Sequence, residues 1–74
     1  MEASNRLTSR ESEVLHLIAL GCTYDRVAQR LGISTHTVCG HIKNAYRKLD
    51  VHTAAAAVMR ALELGQLGMQ WRSE

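Results

Sequence analysis

TYDRVAQRLGISTHTVCGHIKNAYRKL, residues 23–49, is the stretch whose reading decides the fold of this chain. Val27, Leu31, Ile33, Val38 and Ile42 recur where two crossed helices need buried contacts, and Ala28 leaves room for close approach. Thr23 is placed to cap the first helix, with Asp25 in its electropositive first turn. Gly32 then offers the left-handed residue that ends it, Ile33 the apolar contact that follows, and Ser34 caps the second helix almost at once. A turn this short sets the two helix axes at a steep angle.

On the second helix, a wheel of about 100° per residue gathers Val38, Ile42, Ala45 and Leu49 on one side, with Tyr46 at the margin. The opposite side collects His36, Gly40, Lys43 and Arg47, with Asn44 beside them and Thr37, His41 and Lys48 along one flank. That outer face is polar, partly cationic and dented at Gly40. The arrangement matches the helix-turn-helix, in which one helix crosses a phosphate backbone and the next enters the major groove. Thr23 and Tyr24, at a helix start, are candidates for phosphate contact, as are Thr37, Arg47 and Lys48. Lys43 and His36 lie nearer the groove-entering end and are candidates for base contact. For each the alternative is an ordinary cap or a solvated helix face. Gly40 inside a helix costs roughly 1 kcal/mol relative to Ala. Either the missing side chain lets the helix sit deeper in the groove, or the position is simply tolerant.

Working outward, residues 1–6 are small and polar and read as a disordered terminus or the end of a linker. Thr8, followed three residues later by Glu11, forms a capping box, with Leu7 placed to staple onto the first turn. Val14, Leu17 and Ile18 recur at helical spacing, Leu15 widens the stripe, Arg10, Glu13 and His16 are expected to stay in water, and Gly21 ends the helix. Beyond Leu49, Asp50 to His52 make a connection, Thr53 a cap, and Ala54 to Leu64 a fourth helix before Gly65. The alanines of that helix permit close approach of another helix, within the domain or from a second copy. The expected fold is therefore all-α, with four helices. The segment 68–74 reads as a tail of open structure.

Length and composition agree. A chain of 74 residues holds one small domain, and 46% hydrophobic with 22% charged residues is a globular balance. The absence of Pro and Phe, with one Trp and two Tyr, suits short packed helices. A net charge of +2 permits nucleic-acid binding without demanding it, since clustering of the basic groups matters more than their sum. Cys22 and Cys39 form no CxxC pair and no secreted disulfide framework, which suggests the cytosol. No apolar run approaches the ~18 residues of a membrane span.

These residues together resemble the LuxR-type (FixJ/NarL-type) DNA-binding domain of bacterial transcription regulators. The resemblance runs from Leu7 to Leu67 and is carried by Leu7-Thr8 with Arg10-Glu11, Glu13-Val14-Leu15, Gly21, Ala28, Leu31-Gly32, Ser34, Thr37-Val38, His41-Ile42, Lys48-Leu49, Val51, Ala57, Ala61 and Gly65. It implies a four-helix domain over 7–67 that binds double-stranded promoter or operator DNA sequence-specifically in the cytoplasm. It also implies a homodimer through the fourth helix, at Ala54, Ala57, Val58 and Ala61, and RNA polymerase as a candidate further partner. The chain would be the output domain of a response regulator or a small stand-alone regulator. Family members read bases from positions that are Cys39, Gly40 and Lys43 here, of which Lys43 alone keeps a strong hydrogen-bonding group. Where the family usually has an Arg early in the fourth helix this chain has Ala54, and where it has an acidic residue nearby this chain has Ala56. His41 matches a backbone-proximal family position, with packing at the domain edge as the alternative.

Other chemistry is weakly supported. His36 and Cys39 stand three apart but lack further ligands at metal spacing, and nothing in the sequence marks Cys39 as a redox switch. No nucleophile, base and orienting group fall into an arrangement, so neither an enzyme nor a cofactor is expected. Two rivals stay open: an interaction module that keeps the fold without specific DNA binding, favoured by Cys39, Ala54 and Ala56, and a sigma-factor-like promoter-reading domain.

Overall fold

A computed structural model describes residues 6–65. The expectations for residues 1–5 and for the tail 68–74 lie outside them. Four helices follow in order: α1 (Ser9–Ala19), α2 (Tyr24–Leu31), α3 (Thr35–Leu49) and α4 (Ala54–Glu63). Among the described residues there is no strand, so the all-α expectation holds.

Every helix begins on a hydroxyl cap. Thr8, Thr23, Ser34 and Thr53 are extended, and each side-chain oxygen accepts the N–H three residues on. The capping box is reciprocal: the Glu11 N–H donates to Thr8 Oγ1 at 3.1 Å, and the Thr8 N–H to Glu11 Oε1 at 2.9 Å. Gly32 takes the left-handed conformation (φ 70°), and the Ile33 N–H returns to the Ala28 carbonyl at 3.1 Å. This is the six-to-one bond that closes α2 and starts α3 within three residues. Asp50 closes α3 in the same way (φ 59°), with the Val51 N–H on the Tyr46 carbonyl at 3.0 Å.

The helices pack around α1 and α3, which touch each other and both remaining helices, whereas α2 and α4 do not pack together. The core is Val14 and Leu15 of α1, Val27 and Ala28 of α2, Val38, Ile42, Ala45 and Leu49 of α3, and Ala57 and Ala61 of α4. Leu17, Ile18, Leu31, Ile33 and Tyr46 lean on it half-buried. Burial of α4 by two alanines means that its backbone lies close against the domain. Close approach is thus used within the chain. His16 is half-buried, and the loss of hydration around its ring pushes its pKa down.

Candidate nucleic-acid interface

The two faces of α3 separate as a groove-entering helix requires. Val38, Ile42, Ala45 and Leu49 are buried, while His36, Thr37, Gly40, Lys43, Asn44 and Arg47 are all exposed. Cys39 and His41, at the edges, are half-buried. The α2–α3 pair is braced beyond the Gly32 turn, because the Thr35 hydroxyl donates to Asp25 Oδ1 at 3.1 Å and so ties the start of α3 to the first turn of α2.

At the start of α2, Thr23 Oγ1 accepts the Arg26 N–H at 3.1 Å, which leaves the hydroxyl hydrogen to donate outward. Tyr24 is exposed beside it. Its phenol neighbours that of Tyr46, whose pKa is raised by burial first and by Tyr24 second. Thr37 is held by Ser34, whose Oγ accepts the Thr37 N–H at 3.0 Å and lies 2.9 Å from its hydroxyl. Arg47 reaches Asn44 Oδ1 at 3.5 Å, and with Lys43, Tyr46, Asp50, Val51 and His52 it lines a shallow depression at the end of α3.

Sequence reasoning passed over Arg26 and Arg30. Spaced i, i+4 on α2, they share one shallow depression with Thr23, and both are exposed. The spacing was legible. What was not legible was that the loop before α2 folds back beside them.

Lys48 is placed differently from the other phosphate candidates. Its ammonium donates to Glu11 Oε1 at 2.8 Å and to the Arg6 carbonyl at 3.2 Å, with side-chain exposures of 16% for Lys48 and 5% for Glu11. Burial alone would raise the Glu11 carboxyl, but the hydrogen bonds from Lys48 and Thr8 and the ammonium charge outweigh it and hold the pKa below its ordinary value. Lys48 therefore binds α3 to the start of α1, which leaves one of its three donors for other partners.

The four dimerisation candidates on α4 differ in burial. Ala57 and Ala61 are 0% exposed and packed into the domain's own core. Ala54 and Val58 instead line a shallow apolar groove with Ala55 and Met59 of α4 and Ile18 and Ala19 of α1.

Among the described residues, no helix is long and apolar enough to cross a membrane, and no group of three His, Cys, Asp or Glu could hold a metal.

Comparison with known proteins agrees with this geometry. A family model described as "Bacterial regulatory proteins, luxR family" matches residues 5–61. The transcriptional activator CarR of Pectobacterium carotovorum is 52% identical over 58 residues, 78% of this chain and 24% of that protein. The nitrate/nitrite response regulator NarP of Escherichia coli is 45% identical over 64 residues, 86% of this chain and 29% of that one. The chain thus spans less than half the length of these curated relatives. The solved structure of the transcription factor GerE superposes with a TM-score of 0.80 at 34% identity, covering 86% of this chain and 96% of that one. By sequence and by fold, the chain belongs to the luxR family of bacterial regulatory proteins.

Proposed function

We propose that this domain binds double-stranded DNA sequence-specifically to regulate transcription, with α3 in the major groove and α2 across the backbone. The observation that carries the proposal is the division of α3: one face is locked into the core, and the other presents Lys43, Arg47, His36 and Gly40 to solvent. In this reading Lys43, with His36, Cys39 and Gly40, faces base edges. Thr23, Tyr24, Thr37 and Arg47 hold phosphates, Arg26 and Arg30 add positive charge beside Thr23, and Lys48 contributes only its spare donor. Residues 7–67 make up the binding unit. It works in the cytoplasm, where its DNA is, as the output domain of a response regulator or as a small regulator in its own right. RNA polymerase is the further partner that activation would require.

The domain binds as a homodimer on two half-sites. Its pairing surface is the groove of Ala54, Ala55, Val58 and Met59 with Ile18 and Ala19, where Met59 is 59% exposed. A selection from random duplexes tests the proposal. The wild type enriches a two-part sequence, Lys43→Ala and Arg47→Ala weaken it, and log K falls linearly with log salt. Enrichment of no sequence at low salt would instead support an interaction module that keeps the fold alone.

A further inference from the structure

Gly40 lies in the interior of α3, where glycine weakens a helix relative to alanine. The usual reasons for retaining one are missing. Its backbone is not left-handed, unlike those of Gly21, Gly32 and Gly65. Beyond its chain neighbours and the nearby backbone of its own helix, a Cβ placed on it meets no atom of the described residues within 4 Å, so neither a packed helix nor a crossing backbone among them needs the space. Among the described residues, nothing uses the gap.

The surroundings describe what would. One turn before and one turn after Gly40 stand His36, Thr37, Lys43 and Asn44, all exposed and all able to hydrogen-bond. Gly40 offers no such group, because its N–H and C=O are spent in the helix ladder and only its Cα hydrogens face outward. The outer face of α3 is thus a polar ring around an apolar dent. Among the groups that base pairs display in the major groove, the thymine C5-methyl is the apolar one. We propose that Gly40 is a specificity-determining residue whose missing side chain receives a thymine methyl of the operator. The assignment rests on the DNA-binding function proposed above.

The experiment takes the operator enriched by the wild-type chain and replaces its thymines singly with deoxyuridine, which removes the methyl and nothing else. Fluorescence anisotropy then measures wild type and Gly40→Ala on each duplex, with thermal melting as the check on folding. One thymine per half-site is expected to matter: its replacement weakens the wild type about 3–5-fold, the worth of one buried methyl. Gly40→Ala is expected to melt a few degrees higher yet to bind the thymine operator roughly tenfold more weakly, as a methyl-sized misfit allows. It recovers affinity on the deoxyuridine duplex, where the added Cβ fills the vacated space. A merely altered helix would show no such rescue. Equal binding by Gly40→Ala, or a loss that no deoxyuridine replacement relieves, overturns the assignment while leaving the DNA-binding function standing. Failure of the wild type to enrich any sequence overturns both.

Discussion

Single residues divide into those that hold the fold and those that face outward, and Lys48 shows why position on a wheel does not decide between them. It shares the outer flank of α3 with Thr37 and His41, yet its ammonium sits 2.8 Å from Glu11, a carboxylate that is 5% exposed. Removing the cation leaves a buried charge that, among the described residues, Thr8 is left to compensate. Lys48→Ala is therefore expected to cost about 3 kcal/mol or more of stability, measured by urea unfolding at pH 7. Lys43→Ala, on the exposed face, should leave the melting curve within about 0.5 kcal/mol of the wild type and weaken operator binding about 10-fold or more. If Lys43→Ala unfolds the chain and Lys48→Ala does not, the division is wrong. Thr8 is a smaller case of the first kind: its replacement by Ala removes one half of the capping box and is expected to cost about 1 kcal/mol.

At the level of the elements, the connections carry as much information as the helices. Asp50 ends α3 at φ 59° and is the one non-glycine with positive φ among the described residues. The left-handed conformation costs an ordinary residue roughly 1 kcal/mol, and Asp tolerates it better than most. Asp50→Gly should hold or raise the melting temperature, whereas Asp50→Val should lower it by about 4 °C or more. Helix α4 has two sides with different work. Ala57 and Ala61 let it lie against α1 and α3, so a charge there should unfold the domain. Val58 and Met59 border the apolar groove, so Met59→Glu is expected to leave the thermal melt nearly unchanged and to halve the number of chains bound per duplex in sedimentation. Unaltered assembly by a folded Met59→Glu would remove this groove from the pairing surface.

The whole molecule responds to pH through two groups that bind protons less readily in the folded state. The folded pKa of His16 is lowered by burial, and that of Glu11 by the Lys48 and Thr8 hydrogen bonds acting against burial. Protonating either favours the unfolded chain. The stability they supply is fully present above the ordinary values, 6.5 for His16 and 4.5 for Glu11, and is lost as pH falls through the lower folded values. Urea midpoints should accordingly decline in two stages from pH 7 to pH 3. Glu11→Gln is expected to start lower at pH 7 and to flatten the second stage, since the amide has no charge to lose. A second stage that is unchanged in Glu11→Gln would assign acid unfolding to other carboxylates.

The sequence by itself determined the helices, because their signals are local. Hydroxyl caps at Thr8, Thr23, Ser34 and Thr53, the break at Gly32 and the apolar period of α3 each act within a few residues of where they are written. It also set out the outer face of α3, since helical geometry alone puts His36, Gly40, Lys43 and Arg47 together. Only the tertiary structure decided which side of α4 is core and which is surface, since a stripe of alanines reads the same from either side. It likewise decided that Lys48 serves Glu11, 37 residues away in the chain, and that Arg26 and Arg30 gather beside Thr23. It showed, finally, that no other part of the described residues fills the gap at Gly40. Those facts depend on distances between helices, which no local rule of capping or periodicity specifies.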